Sequence, residues 1–181
     1  MKIGVMIEGQ TGIGWPEWKN IVKWTEELGY ESLWRSDHFF AFGEDKTPDS
    51  LEAFASLVYT AQNSSRIRFG TLVAAMTFRH PAMVARMAAA IDQLSGGRLI
   101  LGLGAGWNQS EHDAFGITLP PVKQRMDALE EGVQVVRTLH TQQPASFDGK
   151  IYQLKDAYLN PKPVQTPLPI LVGGSGVKRR A

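Results

Sequence analysis

The chain is expected to be an α/β protein with a parallel sheet covered by helices, and three observations predict it. Short apolar runs alternate with segments of helical periodicity along the length. Five such runs open near residues 3, 32, 67, 98 and 170, and the first four lie one strand–helix unit apart. The runs are nearly continuously apolar, as strands buried on both faces must be.

"KIGVMI" (2–7) is the first strand. Pro16 suits the first turn of the helix that follows, Trp18, Ile21, Val22 and Leu28 recur at helical spacing, and Gly29 stops it. "SLW" begins the second strand and leads into Asp37 and His38, after which a polar loop holds "GEDKTPD". Asp49 and Glu52 have the spacing of a capping box with Asp49 as the cap. The helix behind them would bury Leu51, Phe54, Ala55 and Val58 and end near Gln62. "IRFGTLVAAM" (67–76) predicts a continuous third strand. Pro81 opens a third helix and Gly96–Gly97 close it, with Met83, Val84, Met87, Ile91 and Leu94 facing inward.

"RLILGLGAG" (98–106) is a fourth strand running into glycines. Residues 123–140 form a fourth helix with Met126, Leu129, Val133 and Val136 in register. "ASFDGKIYQL" (145–154) reads as a hairpin turning at Asp148–Gly149, so that 141–160 is an insertion within a single domain spanning 1–181. "NPKPVQTPLP" then delivers the chain to a fifth strand, "ILVGG".

Composition removes several function classes. At 43% hydrophobic and 20% charged over 181 residues, the chain can bury one sizeable core. Its 19 basic and 18 acidic residues are well mixed, so no basic stripe marks a nucleic-acid or membrane footprint, and neither partner is expected. The absence of cysteine rules out disulfides, thiolate nucleophiles and cysteine-ligated metals. "MKIGVMIEGQ" lacks the apolar segment and cleavage site of a leader, and no run approaches the roughly 18–20 apolar residues of a membrane span. The expectation is a soluble, cytoplasmic protein.

Two architectures satisfy this pattern, a doubly wound open sheet and a (β/α)8 barrel. Both gather function at the C-terminal ends of the strands. Those ends carry Glu8–Gln10, Asp37–His38, Ala74–Thr77 with Arg79 and His80, Gly104–Asn108, and Gly173–Gly176. Small residues dominate three of the five and would let a flat ligand approach the backbone. Asp37–His38 either braces a loop or rims an active site, where an imidazole titrating near neutrality suits proton transfer. His80, directly before Pro81, fits a helix entry, whereas Arg79 fits a surface charge as well as a phosphate contact. "EHD" (111–113) resembles a metal cluster only superficially, since adjacent helical residues face different ways. "GLGAG" lacks the G-x-G-x-x-G spacing of a dinucleotide fingerprint. "GGSG" (173–176) could form an anion nest or a flexible tail.

Three long stretches, "SLWRSDHFF", "TFRHPAMVARMAAAIDQLSGGRLILGLGAGWNQSEHDAFG" and "NPKPVQTPLPILVGG", resemble the bacterial luciferase-like monooxygenase superfamily, and most of all its coenzyme F-420-dependent oxidoreductase branch. The likeness runs over essentially the whole chain. It implies a TIM-type (β/α)8 barrel, here only the N-terminal four βα units plus strand 5. A complete barrel takes about 250 residues, so the chain is expected to be a truncated one. The implied activity is hydride transfer to, or monooxygenation of, a small organic substrate with reduced F-420 or, alternatively, FMN. His38 would be the proton donor or acceptor and Asp37 would orient it or the cofactor. Leu72–Val73 would be a non-prolyl cis peptide backing the cofactor ring. Ala105, Gly106 and Trp107 would contact the cofactor from the fourth strand, and Gly173, Gly174, Ser175 and Gly176 from the fifth. Sugar-phosphate dehydrogenases of the family carry a glutamate where this chain has Trp107, which argues against that substrate. A homodimer is among the expectations, as is a non-catalytic chain that binds flavin or self-associates.

Overall fold

In a computed structural model, residues 1–174 are described. The strands β1 (Gly4–Ile7), β2 (Ser32–Arg35), β3 (Arg68–Thr71), β4 (Ala74–Ala75), β5 (Leu99–Gly104) and β8 (Ile170–Val172) form one parallel sheet. Its order is β1-β2-β3-β5, with β4 and β8 also pairing with β5. The register aligns Val5 with Leu33, Leu33 with Phe69, and Phe69 with Leu99. Of these, Leu33, Phe69 and Leu99 are fully buried, because helices α1 (Trp15–Glu27), α2 (Ala53–Asn63), α3 (Pro81–Ser95) and α5 (Val122–Thr141) contribute to the same core. A short α4 (Gln109–Phe115) follows β5, and β6 (Ala145–Asp148) pairs antiparallel with β7 (Gln153–Ala157). Among the described residues, no helix is long and apolar enough to cross a membrane.

Most predicted elements are present, with four corrections. The third strand is not continuous: β3 ends at Thr71, the Leu72–Val73 peptide is cis, and β4 resumes at Ala74. The capping box at 49–52 does not form, since Glu52 is itself the cap and accepts the Ala55 N–H at 2.6 Å. The inward faces of two helices are rotated from the expected ones, in α3 toward small residues. In α2, Phe54, Leu57 and Ala61 are buried while Val58 is 44% exposed; in α3, Val84, Ala85, Ala88, Ala89 and Ile91 are buried while Met83 is 53% exposed. Alanines let α3 pack closely against α2, α5 and β5, and that close approach outweighs the greater area of a methionine or leucine. Finally, Leu28 lies at the end of α1 and is exposed.

His80 caps α3 as expected, its Nδ1 accepting the Ala82 N–H at 3.2 Å. The parallel sense of the sheet brings the segments after β1, β2, β4, β5 and β8 to one edge. At the opposite edge Arg98 donates to the carbonyls of Ala61, Ser64, Ile67 and Ser95 and to the Ser64 hydroxyl, which ties the bottom of the sheet together.

Candidate active site

The site grows out of the end of β2. Arg35, its last residue, is fully buried and donates to the Ser36 carbonyl (2.9 Å), the Ser56 hydroxyl (2.9 Å) and the Leu51 carbonyl (2.7 Å). Burial pushes its guanidinium pKa down, opposed by the charges of Asp37 and Glu52. Gly9 is required beside it, since a Cβ there would sit 2.3 Å from Arg35 Nη2. Ser36 binds the end of β1, accepting the Gly9 N–H (3.0 Å) and donating to Gln10 Oε1 (2.6 Å).

Asp37 is clamped. Arg79 donates to both its oxygens, at 2.6 and 3.0 Å, and the Ala75 N–H adds a third bond at 3.1 Å. Burial pushes the Asp37 carboxyl up, while Arg79 and the Ala75 amide pull against it. Burial also acts against the Arg79 charge, but Asp37, together with Glu52 at 2.7 Å, holds its pKa above the ordinary value. Arg79, which the sequence left between surface charge and phosphate contact, is thus a half-buried counter-ion joining the segment after β2 to the start of α2.

His38 faces different company. Its Nδ1 lies 2.8 Å from Glu111 Oε2, and Glu111 Oε1 accepts the Phe39 N–H at 2.6 Å. Glu111 is fully buried in α4. Phe42 and Trp107 meet the imidazole edge-on, with centroids 4.6 and 5.6 Å away. Nε2 has no hydrogen-bond partner among the described residues, and no side-chain nitrogen or oxygen there is both buried and unpartnered, so Nε2 is reachable from outside. The predicted pairing of Asp37 with His38 is therefore not what orients the imidazole; Glu111 does.

Asp37, His38, Leu72, Val73, Gly106 and Trp107 come together around a cleft of about 150 Å³. Ala105 does not line it and packs against the core instead. The glycines nearby have a specific steric cause. A Cβ at Gly104 would meet Val73 Cγ2 at 2.5 Å, one at Gly173 would meet Val73 Cγ1 at 2.8 Å, and one at Gly106 (φ 74°) would meet Thr77 Oγ1 at 2.3 Å. Glycine at 104 and 173 thus makes room for the Val73 side chain, whereas around the position of a Gly174 Cβ there is open space. Ser175 and Gly176 lie outside the described residues.

Sequence reasoning missed Glu111 as a site residue and left the role of Arg79 open. Asn108 and Glu111 have the spacing of a capping box, which hides the acid as a helix-start residue. In the structure Asn108 caps α4 through Ser110, and Glu111 is spent on His38 and Phe39. The neighbours in "EHD" diverge as adjacency requires: His112 bonds the Asn108 carbonyl and Thr77 Oγ1, and Asp113 accepts from Gln109.

Comparison with known proteins adds the lineage. The family model for luciferase-like monooxygenases matches residues 1–181. An F420-dependent glucose-6-phosphate dehydrogenase of Kineococcus radiotolerans is 37% identical over 161 residues, 86% of this chain and 46% of that protein. One of Amycolatopsis mediterranei is 35% identical over 83% of this chain and 45% of its own length. Among solved structures, an F420-dependent secondary alcohol dehydrogenase in complex with an F420–acetone adduct superposes with a TM-score of 0.85 at 27% identity, over 96% of this chain and 52% of that one. A monooxygenase from Streptomyces bottropensis gives 0.81 at 26% identity, over 95% of this chain and 53% of that one. The chain spans about half the length of the curated relatives it matches. With its sheet, its strand-end cleft and a family match over its whole length, the chain belongs to the luciferase-like monooxygenase family.

Proposed function

We propose that this chain supplies the first four βα units and the fifth strand of a (β/α)8 barrel, working as an oxidoreductase that passes hydride between coenzyme F-420, or alternatively FMN, and a small organic substrate. One observation carries the reading: an imidazole whose Nδ1 is anchored by a buried carboxylate and whose Nε2 opens beside the cis Leu72–Val73 peptide. The F420-dependent names of the relatives supply the cofactor.

The residues present fit a flat ring system. Leu72 is 38% exposed and Val73 stands beside it on the cleft wall, and Gly106 and Trp107 line the same cleft. Trp107 is 62% exposed at the rim, and the Gly173–Gly174 backbone follows β8 next to Val73. Leu72, Val73, Gly106, Trp107, Gly173 and Gly174 would hold the ring, and a bound deazaflavin or flavin would supply the hydride chemistry.

His38 handles the proton. With Glu111 Oε2 as the acceptor, Nδ1 carries the hydrogen in the neutral ring and Nε2 presents a lone pair. When an alcohol is oxidised, its C–H leaves with the electron pair as hydride and Nε2 takes the hydroxyl proton. In reduction, Nε2 returns the proton to the carbonyl oxygen. Trp107 and Phe42 give His38 an apolar rim, which favours an uncharged substrate over a sugar phosphate. Asp37 and Arg79 hold the β2 and β4 ends in register beneath that rim.

The test is a fluorescence titration of the 181-residue chain with F-420 and with FMN. Saturation in the low micromolar range, at about −8 kcal/mol of binding free energy, is expected for F-420. Failure of both cofactors to saturate at a hundredfold higher concentration would overturn the catalytic reading and leave the non-catalytic alternative.

A further inference from the structure

A second and larger cleft, about 520 Å³, lies beside the first, and Phe78 belongs to the linings of both. It is enclosed by the segment 76–80, the loop before α5, the first turns of α5, and Ile151 and Tyr152 of the hairpin turn. Its size falls within the roughly 300–1,000 Å³ of small-molecule sites. Nothing in the proposed hydride chemistry uses it.

The charge of this cleft is one-sided. Its lining includes Arg79, Arg125 and His80 and no carboxylate. Asp37 and Glu52 already neutralise Arg79. Arg125 is different. Its Nε donates to the Pro120 carbonyl at 2.8 Å and its Nη1 to the Gly106 carbonyl, so two neutral acceptors fix the guanidinium without cancelling its charge. Among the described residues no ion pair involves Arg125, and Asp127, the one acid in the first two turns of α5, pairs with Lys123 at 2.8 Å. Among the described residues Arg125 Nη2 has no partner, and since no buried side-chain nitrogen there lacks one, Nη2 is open to a ligand.

A neutral donor stands on the same lining. The Tyr152 hydroxyl makes no hydrogen bond among the described residues, and burial together with the Glu131 charge pushes its pKa up, which keeps its proton in place for donation. Met76, Phe78, Pro120, Ala128 and Ile151 make the apolar part of the lining, and Thr77, Thr118 and Gln124 add uncharged polar groups. One uncompensated, pre-positioned guanidinium above an apolar floor selects a single negative charge on an apolar body. A guanidinium also matches the planar geometry of a carboxylate.

We propose that this second cleft binds an amphipathic monoanion, an aliphatic or aromatic carboxylate, with its carboxylate on Arg125 and Tyr152 and its apolar body against Met76, Ala128 and Ile151. The site needs no cofactor, so it stands or falls separately from the oxidoreductase reading.

Calorimetric titration of the cofactor-free 181-residue chain with octanoate and with octanamide, equal in length and differing in charge, tests it. Octanoate is expected to bind saturably at one site, at least about tenfold tighter than octanamide, with a preference that shrinks as salt rises. Ala128→Phe, which fills the floor, should abolish binding of both ligands, and Arg125→Gln should erase the preference. If Arg125→Gln fails to fold, the two ligands on the unaltered chain still decide the matter. Equal affinities for acid and amide, no saturation by octanoate at about 10 mM (a binding free energy near −3 kcal/mol), or octanoate binding unchanged in Ala128→Phe would each overturn the proposal.

Discussion

Asp37 and His38 are consecutive residues with opposite fates. Asp37 is almost fully buried and receives three N–H donors, two of them from Arg79, so its bonding capacity is spent inside the protein. His38 uses one ring nitrogen on Glu111 and keeps the other for the cleft. A strand end that alternates its side chains makes such a division unavoidable. The first of these groups builds the wall and the second faces its opening. A polar pair at a strand end is therefore two sites, and only the half with unspent bonding capacity is available for chemistry.

Four substitutions break or sharpen this contrast. His38→Ala should lower turnover by about 10²–10⁴-fold, the range of a lost general acid–base. F-420 affinity should stay within about tenfold (1.4 kcal/mol). F-420 absorbance, followed with a panel of small secondary alcohols, reads the first effect, and fluorescence titration reads the second. A loss of affinity as large as the loss of turnover would move His38 to the structural side.

Arg79→Met should act on stability instead, costing about 3–5 kcal/mol in urea unfolding, because it strands a buried carboxylate. The pH dependence follows from Asp37, whose folded-state pKa stands above its ordinary value through burial. Its stabilising contribution is complete below the unfolded pKa and is lost as pH rises through the folded one. Without Arg79 the folded pKa climbs further, so the cost of the substitution should be greatest near neutrality and shrink as Asp37 takes up a proton in acid.

Glu111→Gln keeps an acceptor for the Phe39 N–H but offers His38 Nδ1 an amide donor, which reverses the tautomer. Turnover should fall about 10–100-fold, with F-420 binding and the urea midpoint nearly unchanged. The smallest effect is expected for Glu52→Gln. Glu52 is the half-exposed partner of Arg79, and its α2 cap survives as an amide oxygen, so the change in stability should stay under about 1 kcal/mol. A cost equal to that of Arg79→Met would show that the clamp depends on Glu52 rather than on Asp37.

Much of the site was legible because strand ends are local signals. "SLWRSDHFF" announces a strand that stops at an acid and an imidazole, and the structure places both at the cleft. The likeness to the family placed the cis peptide at Leu72–Val73, where it is found. The partners were not legible. Arg79 lies 42 residues from Asp37, and Glu111 lies 73 residues from His38. The direction of each side chain depends on how α3 and α4 are seated after their strands. The helix faces failed for a related reason: which positions turn inward depends on how each helix is rotated on the sheet, and packing buries Leu57 rather than Val58 and the alanines of α3 rather than Met83.

The sequence alone determined the alternation of strands and helices, the parallel sheet, the caps at Pro81 and His80, and the residues delivered to the strand ends, because each follows from periodicity and backbone chemistry within a few residues. Tertiary structure decided which end residues are spent and which remain open. It gave Asp37 to Arg79, His38 to Glu111 and the space at Gly104 and Gly173 to Val73, and among the described residues it left Arg125 without a counter-ion. Those assignments depend on register and helix rotation across tens of residues, and only the packed core sets them.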